Sequence, residues 1–172
     1  GISYQWAGKH AVWRTRLAYP DLPLIQSENE CGDGRNSWDE AWYVADLFHH
    51  YLAQDAEAYV YWNPVLEPGG ESSWGWKQDS LVTVDPASGT LTRNPQWHIM
   101  RHYAGFIRKG HRRLVCRRPW AANTVAFASA DSTVVVIRNP LGTERRIRIA
   151  RANFCWEALL PARSLTSICL PS

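Results

Sequence analysis

The order of secondary-structure signals, and its abrupt change near Gly110, constrains this chain most. A short strand is read over Gly1–Trp6 and expected to be buried. A loop and helical segment follow to Tyr19-Pro20, then a second strand over Leu22–Ser27. Ser37-Trp38-Asp39-Glu40 forms a capping box, with Ser at the cap and Glu three residues on. The helix it opens carries Ala41, Val44, Ala45, Phe48, Tyr51 and Leu52 at helical spacing and runs to about Gln54. Ala58–Trp62 reads as a third strand, and a Gly/Ser/Trp loop follows from Glu67 to Asp79. Leu81–Val84 and Thr90–Thr92 flank Pro86-Ala87-Ser88-Gly89 as a hairpin. Asn94-Pro95 starts a helix carrying Trp97, Met100, Ala104 and Ile107 and ending near Gly110. Strand–helix alternation of this kind demands parallel strands with helical crossovers. Beyond Gly110, short strands at Val115, Thr124–Ala128, Thr133–Ile137, Arg146–Ile149 and Leu165–Leu170 predict an antiparallel sheet or sandwich. The fold class is therefore α/β plus all-β, with domains over residues 1–110 and 111–172. Three strands cannot close an eight-stranded barrel, which needs about 250 residues. The pattern alone leaves a small open sheet and the last part of a barrel both open. The start at Gly1-Ile2, already strand-like, suggests a piece of a longer protein.

Composition excludes several classes. Among 172 residues no apolar run approaches the roughly 20 needed for a transmembrane helix. Residues 1–100 hold 6 Lys/Arg and 13 Asp/Glu, and residues 101–172 hold 13 and 3. The arginines of the basic part are scattered through alternating strands, as in Arg145-Arg146-Ile147-Arg148-Ile149, which reads as a solvated sheet face rather than a nucleic-acid site. Four cysteines lack CxxC spacing, which speaks against zinc; Cys116, Cys155 and Cys169 fall in strand-like runs and are expected as buried thiols. His98 and His102 are four apart without a Glu or Cys partner, so no metal site is expected. Gly32-Asp33-Gly34 is too short for a phosphate loop, there is no GxSxG nucleophile elbow, and no cofactor is called for.

Ten tryptophans are the strongest compositional signal. Several lie in loops beside Gly, Ser and Asn, where flat aromatic faces can stack on sugar rings in an apolar wall with placed polar groups. Glu28 closes the second strand in the stretch SENECGDG, and Trp6 and Trp62-Asn63 fall at the tips of its neighbours. Barrel active sites are built at such strand ends. A carboxylate walled by indoles suits glycoside hydrolysis, in which one carboxylate attacks the anomeric carbon while another protonates the leaving oxygen. Glu28 is favoured as nucleophile, with Glu30 or Asp33 in support.

The stretches GISYQW, LIQSE, YVYWN, ESSWGW and NPQW, in this order and spacing, resemble the C-terminal part of glycoside hydrolase family 30, the group of glucosylceramidases and microbial endo-β-1,6-glucanases. SENECGDGRNSW and YQWAGK look most like the β-1,6-glucanase branch. The resemblance implies strands six to eight of a (β/α)8 TIM barrel, followed by the C-terminal strands of a side β-sandwich. It implies Glu28 as nucleophile of a retaining mechanism, Trp6, Trp62 and Asn63 lining the sugar pocket, and Trp74 and Trp76 in the loop that covers it; Gln5 and Glu30, beside them in sequence, are expected as further substrate contacts. Where glucosylceramidases carry His before the strand-six Trp, this chain has Gln5, which leans away from glucosylceramide and sphingolipid metabolism toward a glucan. The family's acid/base glutamate, on the fourth strand, has no counterpart here. The expected partners are thus a β-glucan or glucoside and the missing N-terminal part of the same polypeptide, which the sandwich also borrows strands from. A polymeric substrate favours secretion. The rival readings are a non-catalytic carbohydrate-binding module on the β-rich part and a purely structural sandwich.

Overall fold

A computed structural model describes residues 1–151 and 154–171. The chain divides into two compact units, Gly1–Arg101 and the residues from His102 onward.

The first unit is built on three parallel strands in the order β1-β2-β3: β1 (Ile2–Gln5), β2 (Leu24–Glu28) and β3 (Ala56–Tyr59). Helix α1 (Val12–Ala18), entered through a 3-10 turn at Trp6–Ala11, connects β1 to β2. Helix α2 (Trp38–Ala53) connects β2 to β3. Leu24 is opposite both Ile2 and Ala56, so the central strand carries the register for the sheet. Its apolar side packs Tyr4, Val12, Leu24, Tyr51 and Ala56 into one buried cluster. In β1 only Tyr4 is buried, because it faces Val12 of α1 and Tyr51 of α2 while Ser3 and Gln5 face the other side of the sheet. The third strand is paired two residues earlier than the run Ala58–Trp62 suggests, which frees Val60–Trp62 to enter the loop beyond it.

Helix α2 forms as its cap predicts. Ser37 is extended at the N-cap, and its side chain accepts a hydrogen bond from the Glu40 N–H at 3.2 Å. Ala41, Val44, Ala45, Leu47, Phe48 and Tyr51 are buried, while Leu52 is only half-buried. The far end of α2 is held by Arg16 of α1. Its guanidinium donates to the Gln54 carbonyl at 3.2 Å, Asp55 at 2.9 Å, Pro20 at 2.5 Å and Leu22 at 3.1 Å. One cation thereby satisfies the C-cap carbonyl of α2 and three carbonyls in the turns that follow α1 and α2.

A small sheet follows, with β4 (Val65–Leu66) parallel to β5 (Val82–Val84) and β5 antiparallel to β6 (Leu91–Arg93). Helix α3 covers Pro95–Ala104. It buries Gln96, Ile99 and Tyr103 rather than Trp97, Met100 and Ala104, and it ends before Ile107. Arg93 and Arg101 lie over the Trp97 ring, at 4.9 and 5.6 Å, which draws that indole to the outer side.

The second unit has a four-stranded antiparallel sheet in the order β12-β9-β8-β7 and a β10-β11 pair. The strands are β7 (Arg112–Leu114), β8 (Thr124–Ala128), β9 (Ser132–Asn139), β10 (Arg145–Arg151), β11 (Phe154–Leu160) and β12 (Ser164–Pro171). Ala126, Val135 and Ile137 of the larger sheet meet Ile147 and Leu160 of the pair in one buried cluster. Between them lies a cavity of about 740 Å³ bordered by Trp120, Ile149 and Trp156. Cys155 and Cys169 are exposed rather than buried, because both sit on outward positions of their strands; all four cysteines are free. No helix is long and apolar enough to cross a membrane among the described residues. No group of three His, Cys, Asp or Glu among them could hold a metal ion.

Candidate active site

Parallel strands of similar length finish at one end of the sheet, so the residues that follow them gather there. Gln5, the last residue of β1, is in register with Glu28, the last of β2. Beyond β3, the Val60 N–H still reaches the Gln26 carbonyl at 3.1 Å. Trp6, Glu28 and Trp62 therefore emerge side by side, with Gln5 exposed beside them.

Trp6 turns out of its strand with φ +44, a left-handed conformation that a bulky side chain adopts at a cost of about 1–3 kcal/mol. The reversal swings its indole back over the β2 tip, where Nε1 donates to Glu28 Oε1. The Trp62 ring meets Trp6 edge-on at 6.3 Å. Trp74 lies 6.3 Å beyond Trp62, and Trp76 lies 5.8 Å beyond Trp74. The indoles form a strip leading away from Glu28, and its outer members are 67 % and 56 % exposed. Open indole faces beside a half-buried carboxylate suit a ligand with both an apolar surface and polar groups, as a sugar ring has.

Glu30 takes a different place. One carboxylate oxygen accepts from Lys9 Nζ at 2.5 Å and the other from the Tyr43 hydroxyl at 3.0 Å. Burial is the largest single influence and disfavours both charged forms, but their mutual hydrogen bond, the bonds to Tyr43 and their attraction together outweigh it. Glu30 is held below the usual carboxylate range and Lys9 above the usual lysine range. The Tyr43 hydroxyl is pushed up by burial and then by the Glu30 charge. Glu30 is thus kept ionised, the opposite of what a proton donor requires.

Asn63 directs its amide N–H groups to Gln78 Oε1 at 2.9 Å and Cys31 Sγ at 3.6 Å, bracing the loops below the indoles. Burial, followed by the charges of Asp79 and Glu28, pushes the Cys31 thiol up to about 11. It stays protonated at neutral pH and is no nucleophile.

Asp79, fully buried, organises the loop after β2. Oδ1 accepts from the Gly34 N–H at 3.0 Å and the Asn36 N–H at 2.8 Å, and Oδ2 accepts from Gln96 Nε2 at 2.6 Å. Gly32, at φ +78, passes so close that a Cβ there would lie 2.3 Å from Asp79 Oδ2. Glycine is required on both counts. Lys9, Tyr43, Asp79 and Gln96 were not legible as site residues. Lys9 has only its place in YQWAGK, and Asp79 lies 45 positions from Gly34.

No family model matches the chain. Known proteins do. The chain is 25 % identical over 153 residues to the lysosomal acid glucosylceramidase of Mus musculus, covering 80 % of this chain and 30 % of that protein. It is 30 % identical over 105 residues to the endo-1,6-beta-D-glucanase of Neurospora crassa, covering 56 % of this chain and 22 % of that one. Its fold matches SrfJ from Salmonella typhimurium with a TM-score of 0.87 at 19 % identity, over 100 % of this chain and 41 % of that one. It matches the endo-beta1,6-glucanase BT3312 with a TM-score of 0.82 at 18 % identity, over 97 % and 40 %. These likenesses, with that to a GH30 xylanase C from Talaromyces cellulolyticus (TM-score 0.68, 18 % identity, 88 % of this chain and 41 % of that one), are those of the C-terminal part of glycoside hydrolase family 30 enzymes. The chain spans under a third of the length of either curated relative.

Proposed function

We propose that this chain carries the nucleophile half of a retaining β-glycoside hydrolase site, with Glu28 as the nucleophile. The observation that supports it most is the Trp6 indole N–H directed at Glu28 at the head of the indole strip. A sugar stacked on that strip would present its anomeric carbon to the carboxylate. Attack forms a glycosyl ester on Glu28 as the bond to the leaving oxygen breaks, and that oxygen takes a proton from an acid. The same acid, now a base, draws a proton from water as the water displaces Glu28. Glu30 is ill suited to that second role, because Lys9 and Tyr43 hold it ionised. Asp79 is ill suited because it is sealed among loop amides. The acid/base glutamate is assigned to an upstream part of the polypeptide, with β1 to β3 as the sixth to eighth strands of a (β/α)8 barrel. The second unit is the C-terminal portion of a bracing sandwich. Gln5 in place of the glucosylceramidase histidine favours a β-1,6-linked glucan over glucosylceramide. Gln5, Trp62, Trp74 and Trp76 are its contacts.

The test uses the complete polypeptide containing this segment. An activated 2-deoxy-2-fluoro-β-glucoside should trap a covalent adduct, and peptide mapping should place it on Glu28. Glu28→Gln should lower turnover of β-1,6-glucan by at least about 10⁴-fold with the thermal midpoint preserved, the scale seen when a covalent nucleophile is removed. A label on Glu30, or a Glu28→Gln protein with near-normal turnover, would remove the assignment.

A further inference from the structure

The bonds around Glu28 continue beyond it. Lys9 sits one 3-10 turn after Trp6, and its ammonium donates to the Trp6 carbonyl at 3.3 Å and to Glu30 at 2.5 Å. Glu30 is tied in turn to Tyr43 in the second turn of α2. His50, two turns further along α2, bonds the Lys9 carbonyl through Nε2 at 2.7 Å. Helix α2 therefore grips both the turn after β1 and the loop after β2, and the Lys9 side chain, only 15 % exposed, lies at the junction. Trp6 needs such a grip, since its left-handed backbone is not one an indole residue adopts unaided.

We propose that Lys9 is a positioning residue: by clamping the Trp6 carbonyl and Glu30 together against α2, it holds the Trp6 indole N–H on Glu28. This rests on the reading of Glu28 as nucleophile. It also gives Glu30 a role within the protein, because each of its oxygens is bonded there, one to Lys9 and one to Tyr43. The two charges depend on each other. Burial opposes each charge, and the bond between them, together with the Tyr43 bonds and their attraction, offsets it. Removing either should therefore release the other and loosen the Trp6 turn.

The test compares Lys9→Met, Lys9→Arg, Glu30→Gln and the Lys9→Met/Glu30→Gln pair in the complete polypeptide. Two readouts are taken: kcat and KM on soluble β-1,6-glucan, and the indole 15N–1H resonance of Trp6 in tryptophan-labelled protein, assigned with Trp6→Phe. Lys9→Met should lower kcat between about tenfold and a hundredfold with KM within about twofold, the scale of a small misplacement of a reacting group. It should also move the Trp6 resonance in the direction that Glu28→Gln moves it. Glu30→Gln should do the same, the pair should cost little more than either alone, and Lys9→Arg should recover much of the loss. A Trp6 resonance unmoved by Lys9→Met overturns the clamp whatever the kinetics. A moved resonance with unchanged kcat overturns its part in turnover, and a rise in KM alone makes Lys9 or Glu30 a sugar contact instead. If Lys9→Met fails to fold, Glu30→Gln and Lys9→Arg carry the same comparison. A wild-type protein that turns over no β-glucoside refutes the hydrolase reading, while the resonance still decides the clamp.

Discussion

Asp79 shows how much one buried side chain can decide. Desolvation raises its carboxyl above the ordinary range, and the Asn36 and Gly34 N–H groups offset only part of that rise. A carboxyl whose folded-state value is raised binds more protons folded than unfolded. Its contribution to stability therefore falls as pH rises from the unfolded value, about 3.9, through the folded one. Asp79→Asn keeps an acceptor for both loop amides. Gln96 can turn its amide so that Oε1, otherwise without a partner, meets the new NH2. The Asn variant should thus fold, and denaturant titrations should find it more stable relative to wild type at pH 7 than at pH 4. Asp79→Ala takes the acceptor from two part-buried N–H groups and leaves Gln96 Nε2 only the Ser37 carbonyl at 3.5 Å, and should cost about 2–4 kcal/mol. At this scale the positions of Trp6 and Glu28 at the ends of neighbouring strands were readable from sequence, because the strand signals before them are local. Lys9 and Asp79 were not, because a single Lys or Asp in a loop has no period, and their partners lie 21 and 45 positions away.

Among the elements, α2 was the most legible, since an end signal and a long periodic run agree on it. Strand β11 was legible only as a strand-like run around Cys155, without bounds or a partner. Its sequence FCWEALL holds Glu, Ala and two Leu, good helix formers, and only pairing along the whole of β10 fixes it as a strand. The stripe of α3 was misread for a related reason: the tryptophan expected inside is drawn outward between two arginines. The Arg16 junction offered no sequence signal either, yet it joins α1, the entry to β2 and the end of α2. Several charge-assisted bonds to carbonyls are at stake, so Arg16→Met should destabilise the protein by about 2–3 kcal/mol. Arg16→Lys should recover less than half, because an ammonium cannot spread donors over four separated carbonyls as a planar fork does. Hydrogen exchange should localise the loss in both variants to the amides around Gln54 and Asp55.

For the whole molecule the decisive quantity is the number of carboxylates free to work at the indole strip. A double displacement needs two, roughly 5–5.5 Å apart, one ionised to attack and one protonated to assist departure. On the proposed reading Glu28 takes the first task. Burial raises Glu30, but its bonds to Lys9, to a backbone N–H and to Tyr43 together hold it below the carboxylate range, so it lacks the proton for the second. It follows that the chain of 172 residues alone should not turn over β-1,6-glucan, even where it binds the polymer weakly through Trp62, Trp74 and Trp76. Extending it upstream should bring turnover that falls when a single added glutamate is changed to Gln. On an aryl β-glucoside whose leaving group departs without a proton, azide should restore part of the rate to that variant and yield the glycosyl azide, because azide displaces the carboxylate from the glycosyl ester without help from a base. Glucan hydrolysis by the 172-residue chain, abolished by Glu30→Gln, would instead make Glu30 the acid and show that the Lys9 bond opens during the reaction.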